Sequence, residues 1–201
     1  MMFDQNITQP GFNQIYTVRK MIGRGGFGTV YAGYRNCDHM NIAVKMVGKK
    51  RARMVQIYHQ DNNMSNSKEE GSYTKIPVEV YLMQKAKHIS GVTELIDYYE
   101  LSDCYLLIME RFGTPTSGCK DLFDFISRNG PLEEHVAQKV FQQIVEIIVS
   151  CHKAGIFHGD IKDENILIDE RNNQVKLIDF GSGRMYHKKI YTDFDGKTIL
   201  Y

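Results

Sequence analysis

The sequence predicts an α+β chain in two lobes, the first an antiparallel sheet with one helix and the second mostly helical. Three observations carry this. Between Tyr16 and Val47, apolar and aromatic residues alternate in three runs broken by glycines, the period of strands. From Glu133 to Ala154, the residues Val136, Val140, Ile144, Ile147, Ile148 and Cys151 recur at helical spacing. Between these halves Phe112 to Lys120, with its Gly, Pro, Thr and Ser, reads as a linker. The 201 residues thus divide into an N-terminal tail (1–15), a first lobe (16–111), the linker (112–120) and a second lobe (121–201).

In chain order, the strands fall at Tyr16–Arg24, Gly28–Arg35 and Asn41–Val47. The polar run from Gly48 to Lys75, with its KKRAR and QDNNMSNSKEEG stretches, reads as an insertion or mobile connector. Pro77 then opens an amphipathic helix, Val78 to Lys87, at a position where a missing N–H costs nothing. Strands at Thr93–Glu100 and Tyr105–Glu110 complete the first lobe. The second lobe starts with a short helix, Asp121 to Ser127, and continues with the long one, which stops before Gly155. Strands Ile166–Asp169 and Gln174–Ile178 follow, joined by the polar turn Glu170–Asn173.

Composition excludes several classes of function. Lys and Arg number 25 against 24 Asp and Glu, a balance with no field to make nucleic acid or an anionic membrane the main partner. The first residues carry no basic segment followed by an apolar one, and the longest apolar stretch, Ile144–Val149, is broken by Glu146. A soluble, cytoplasmic protein is expected. The basic run Lys49–Arg53 offers a nuclear-localisation patch, although a solvated connector is the commoner meaning of such a run. Cys37, Cys104, Cys119 and Cys151 form no C-x-x-C pair and read as reduced thiols.

Chemistry enters with Gly23-Arg24-Gly25-Gly26-Phe27-Gly28, a G-x-G-x-x-G loop whose missing side chains let backbone N–H groups approach phosphate oxygens. Strand, not helix, follows the third glycine, which favours a hairpin folded over a nucleotide; alone, the loop is an ordinary glycine hairpin. Lys45 ends the apolar strand Ala43-Val44-Lys45, where an ammonium group needs an anionic partner. Glu79 on the next helix can pair with it, though a lone helical glutamate is more often a solvated one. The decisive stretch is His158-Gly159-Asp160-Ile161-Lys162-Asp163-Glu164-Asn165, followed by Asp179-Phe180-Gly181. In that order Asp160 is placed to accept a substrate hydroxyl proton, and Asn165 and Asp179 to hold Mg²⁺ against the phosphates of ATP.

With these motifs and the phrases DLFDFI, DIKDENILID, KLIDFGSG and YTDFDG, the chain resembles the protein kinase superfamily, and within it the Pim group of serine/threonine kinases, from about Tyr16 to Tyr201. The resemblance implies a two-lobed kinase fold with ATP and Mg²⁺ as cofactors and Lys162 on the transferred phosphate. It implies an adenine slot lined by Ile22, Val30, Ala43, Met109, Glu110, Leu167 and Ile178, under the loop of Gly23, Gly25, Gly26, Phe27 and Gly28. It also implies monomeric action on arginine-rich protein substrates, met by Asp121, Asp124 and Glu164.

Two departures set further expectations. Tyr201 falls twenty residues after Gly181 with no A-P-E-like segment, so an incomplete helical C-lobe is expected, leaving an apolar face of the long helix bare. An inactive nucleotide-binding or scaffolding fragment is the alternative reading on that account. Gly159 stands where the family usually has arginine. That removes a partner for phosphorylated hydroxyls at Tyr191, Thr192 or Thr198, and is expected to loosen the backbone beside Asp160.

Overall fold

The structure, a computed structural model, describes residues 11–26, 28–59, 72–113 and 119–185. Phe27, Tyr191, Thr192 and Thr198, singled out above, lie outside the described residues. The elements are, in order, α1 (Phe12–Ile15), β1 (Tyr16–Gly25), β2 (Gly28–Arg35), β3 (Asn41–Gly48), β4 (Met54–His59), β5 (Ser72–Pro77), α2 (Val78–Lys85), β6 (Leu95–Glu100), β7 (Cys104–Glu110), β8 (Lys120–Asp121), α3 (Leu122–Asn129), α4 (Glu134–Lys153), β9 (Ile156–Phe157), a 3₁₀ turn (Asp163–Asn165), β10 (Ile166–Asp169), β11 (Gln174–Leu177) and β12 (Arg184–Met185).

Strands β1-β2-β3-β7-β6 form one antiparallel sheet. Its register sorts the side chains, because directly opposed residues share a face and neighbours along a strand alternate. Lys45 lies opposite Val30 on β2 and Leu107 on β7, and Ala43 lies opposite Ala32 and Met109. These residues therefore face the same side, toward α2 and the second lobe. The other face carries Tyr31, Ile42, Val44, Leu106 and Ile108, which pack with Phe12 and Tyr16 into a separate apolar cluster. The short α1 closes that cluster: Phe12 is fully buried, edge-on to Tyr99 at 5.2 Å between ring centroids.

One expectation fails. The run from Gly48 to Lys75 is not a connector throughout, since β4 and β5 pair antiparallel within it and at its end. Met54, Val55, Ile57 and Tyr58 on β4 carry a strand pattern that the polar flanks obscure. Val55 lies opposite Ile76, which is buried in the main core, and Val55 and Ile57 pack against that core. Helix α2 ends at Lys85, short of the expected Lys87, and buries Glu79, Val80, Leu82 and Met83, with Ala86 buried just after its end.

In the second lobe β8, β10 and β11 form a small sheet on which α4 packs. Val140, Ile147 and Cys151 of α4 are buried, and Val136, Ile144 and Ile148 half-buried, as the periodicity predicts. Phe141, Val145 and Val149, spaced four residues apart on α4, remain 68%, 41% and 42% exposed. Among the described residues, no helix is long and apolar enough to cross a membrane.

Candidate active site

The site lies where the functional face of the sheet, α2 and the two loops flanking β10 and β11 converge. Lys45 is its centre. The strand delivers the ammonium to a buried position, 5% exposed, where Nζ donates to Glu79 Oε1 at 2.6 Å and to Asp179 Oδ1 at 2.9 Å. Three segments of the chain far apart in sequence thus meet on one nitrogen. Burial works against the charge on Lys45, but the two carboxylates more than offset it and hold the ammonium protonated. The Glu79 carboxyl is pushed up, first by burial and then by the nearby Asp179 charge, with Lys45 opposing. One cation against two carboxylates leaves a negative excess at this point.

The second constellation is on the loop after β9. Asn165, buried at the end of the 3₁₀ turn, donates from Nδ2 to the Asp160 carbonyl at 2.7 Å and to Asp160 Oδ2 at 3.0 Å. Lys162 Nζ reaches the same Oδ2 at 3.1 Å and Glu164 Oε2 at 3.7 Å. The hydrogen bond to Asp160 is the main cause that raises the Lys162 pKa, and it keeps the ammonium charged. Asp160 therefore presents an oriented carboxylate beside a cation, the arrangement needed to take a proton and to meet a phosphoryl group.

His158 carries a role that sequence reasoning did not assign. It is 3% exposed, with Nε2 donating to the Ile178 carbonyl at 2.9 Å and Nδ1 accepting from the Asp160 N–H at 3.3 Å. That pattern suits only the neutral ring, and burial lowers its pKa accordingly. Its ring meets Phe180 edge-on at 4.7 Å between centroids, so one imidazole ties the Asp160 loop to the Asp179 loop. The initial histidine of the loop was the available signal.

Gly159 does not loosen this loop. Its φ is +82°, and a Cβ there would lie 2.5 Å from the Ser182 carbonyl oxygen. The glycine lets the Asp160 loop sit directly against the segment after Gly181, which an L side chain could not do unstrained. Gly159→Ala is accordingly expected to cost about 1–3 kcal/mol, the usual range for a strained backbone position. Thermal unfolding checks this, and an unchanged transition would mean that the two loops separate at no cost.

Gly23 and Gly25 lie at the end of β1, Gly26 in the turn after it and Gly28 at the start of β2. Gly28 lies so close to β3 that a Cβ would be 2.3 Å from the Met46 carbonyl oxygen. Val30, Ala43 and Met109 share the Lys45 face, while Ile22 is 44% exposed near the loop. Leu167 pairs with Asp121 across β8 and β10. Ile178 donates its N–H to the Asn165 carbonyl at 3.0 Å, which places it at the floor next to Asp179. Glu110 is engaged at the edge of the cleft: its carboxylate accepts from the Glu94 N–H at 2.8 Å and pairs with Lys176 on β11. Asp121 caps α3, accepting the Asp124 N–H at 2.7 Å, and Asp124 pairs loosely with Arg128 at 3.5 Å. Helix α3, which carries Asp124 and is capped by Asp121, packs on the 3₁₀ turn that carries Glu164.

The basic run is the exposed loop between β3 and β4, as a solvated connector would be, and two of its arginines bond backbone carbonyls beside the site. Lys49 pairs with Glu100 at 2.7 Å, Arg51 Nη1 donates to the Gly26 carbonyl at 3.3 Å, and Arg53 Nη1 donates to the Gly183 carbonyl at 3.2 Å.

The residues present fit a nucleotide with a divalent cation. The glycine turn leaves open backbone, the Lys45 ammonium is held at its base, and Asn165 and Asp179 offer the hard oxygen donors that magnesium takes, a few at a time, beside phosphates. The negative excess around Lys45 suits such a cation. Among the described residues, no cluster of three or more His, Cys, Asp or Glu side chains is placed to hold a metal alone.

Comparison with known proteins agrees with this geometry. Residues 16–199 match the family described as the protein kinase domain. The chain is 36% identical over 196 residues to serine/threonine-protein kinase pim-2 of Danio rerio, covering 94% of this chain and 58% of that protein. It is 35% identical over 192 residues to serine/threonine-protein kinase prk-2 of Caenorhabditis elegans, covering 94% of this chain and 39% of that one. The PAS domain-containing serine/threonine-protein kinase of Mus musculus is 31% identical over 187 residues, 92% of this chain and 12% of its own length. The chain thus spans less than two thirds of the length of these relatives.

Proposed function

The chain belongs to the protein kinase family, and from that membership and its site we propose that it transfers the γ-phosphoryl group of ATP to serine or threonine hydroxyls of arginine-rich proteins. The observation that carries the reading is Lys45, buried and held by Glu79 at 2.6 Å and by Asp179 at 2.9 Å. A buried ammonium oriented in this way is suited to meet phosphate oxygens.

In this reading the glycine turn and Lys45 bind and orient the phosphates, and Asn165 and Asp179 would hold Mg²⁺. Asp160 accepts the proton of the substrate hydroxyl, and Lys162 offers positive charge beside it. When bound, Mg-ATP supplies the phosphoryl group and divalent charge to neutralise it. The carboxylates of Asp121, Asp124 and Glu164, on α3 and the turn it packs against, support a preference for guanidinium groups near the acceptor, since arginine pairs well with carboxylates.

The test has two parts. Binding to the folded chain must raise its thermal transition, so Mg-ATP is expected to stabilise the unsubstituted protein and to do so far less for Asp179→Asn. An arginine-rich serine peptide is then expected to be phosphorylated, and faster than the same peptide with its arginines replaced by alanine. A thermal shift without any transfer would mark an inert nucleotide-binding module instead.

A further inference from the structure

Arg53 makes two polar contacts that join α2 to the segment after Gly181, two parts that also meet through Lys45 and through the packing of Leu82 on Gly183. Its backbone carbonyl accepts the N–H of Val78, the first residue of α2, at 2.8 Å. That contact serves one of the N–H groups that a helix start leaves without an internal partner, and no side chain caps this end of α2. Its guanidinium, through Nη1, donates to the Gly183 carbonyl at 3.2 Å across 130 residues of sequence. Gly183 is buried, bonds through its own N–H to the Phe180 carbonyl at 2.9 Å, and leaves no room beside Leu82 of α2. Glu79 is one residue beyond Val78, and Asp179 is four residues before Gly183. A crevice beside these contacts is lined by Arg51, Arg53, Pro77, Glu79 and Gly181, among others.

We propose that Arg53 is a positioning residue that fixes α2 against the segment after Asp179-Phe180-Gly181, and so keeps both carboxylates on Lys45. The proposal rests on the phosphoryl-transfer reading above. The loop beside Asp160 carries glycine at position 159 and has no guanidinium to brace that segment. In this chain the brace comes from the first lobe, from a run that reads in sequence as a solvated connector. A charged donor on a partly buried carbonyl is stronger than a neutral one, and small displacements of catalytic groups carry large rate penalties.

The experiment compares Arg53→Met, Arg53→Lys and, as a control for charge, a methionine at the exposed Lys50 of the same run, all in the full chain. Two readouts are taken: amide hydrogen exchange at Phe180–Gly183, and kcat and KM for ATP on the arginine-rich peptide. Arg53→Met is expected to speed exchange at Gly183 roughly fivefold or more. It is expected to lower kcat roughly tenfold with little change in KM for ATP. Arg53→Lys should fall between, and Lys50→Met should match the unsubstituted chain. Exchange at Gly183 unchanged in Arg53→Met would overturn the tether, and so would an equal effect of Lys50→Met. If exchange rises but kcat holds, the positioning role is overturned. If the unsubstituted chain transfers no phosphate, the functional reading has failed, and exchange alone decides whether the tether exists.

Discussion

Lys45→Met is expected to lower stability by about 3–5 kcal/mol, the range for removing one partner of a buried ion pair, and to abolish phosphoryl transfer. The loss is large because two acids depend on one ammonium: Glu79, 5% exposed, and Asp179, whose side chain is 19% exposed. For a chain of this size such a change lowers the thermal transition by roughly 10 °C. Glu79→Gln is the informative comparison, because it leaves Lys45 paired with Asp179 and should cost less. A double variant, Lys45→Met with Glu79→Gln, should regain part of the loss, since the stranded carboxylate is then gone. If Lys45→Met proved no less stable than Glu79→Gln, the ammonium would not be the keystone of this site.

The pH dependence of that variant follows from Glu79, whose carboxyl is raised above its ordinary value of 4.5 by burial, with the Asp179 charge adding and Lys45 opposing. A raised carboxyl favours the folded state fully below pH 4.5, and that contribution is lost as pH rises through the folded-state value. Removing Lys45 removes the opposing pull and raises the carboxyl further. The deficit of Lys45→Met against the unsubstituted chain should therefore be smaller near pH 5 than at pH 7.5. Losing Lys45 also removes one of the charges that add to burial in lowering the His158 pKa, which shrinks the deficit at low pH in the same direction.

The parts of the molecule that were legible in the sequence are those with strong local chemistry. The glycine turn, Lys45 on its strand, and the loops around Asp160 and Asp179 announce themselves through residue types that cost stability unless a ligand or partner repays them. The strands and α4 were legible because their apolar period is long enough to stand out. What stayed hidden depends on tertiary contact. β4 and β5 have a strand pattern flanked by polar residues, and only pairing with each other and with the core reveals it. β8, β9 and β12 are two residues each, below any periodic signal. Arg51 and Arg53 read as surface charge because a guanidinium bonding a distant backbone carbonyl leaves no mark in sequence. The misreading of Gly159 has the same origin. Its flexibility is a local property, but the nearness of Ser182 is not, and the contact turns a loosening residue into a close-fitting one.

Asp160→Asn should separate chemistry from structure. The amide keeps an oxygen that can accept from Asn165 Nδ2 and Lys162 Nζ, now at 3.0 and 3.1 Å from the carboxylate, so the loop keeps its main supports. What it loses is the capacity to take up a proton. The loss expected for a positioned general base is roughly 10²–10⁴ in kcat. KM for ATP should change little, because the glycine turn and Lys45 bind the phosphates without Asp160. The thermal transition should stay within about 2 °C of the unsubstituted chain, consistent with a change under 1 kcal/mol. That profile is opposite to the one for Lys45→Met, in which fold, nucleotide binding and transfer all fall together. Retention of more than about a tenth of the activity would mean that proton removal by Asp160 is not part of the reaction, because a general base contributes at least ~10². A loss of stability as large as that of Lys45→Met would mean instead that the Asp160 carboxylate is a structural anchor for the loop rather than a proton acceptor.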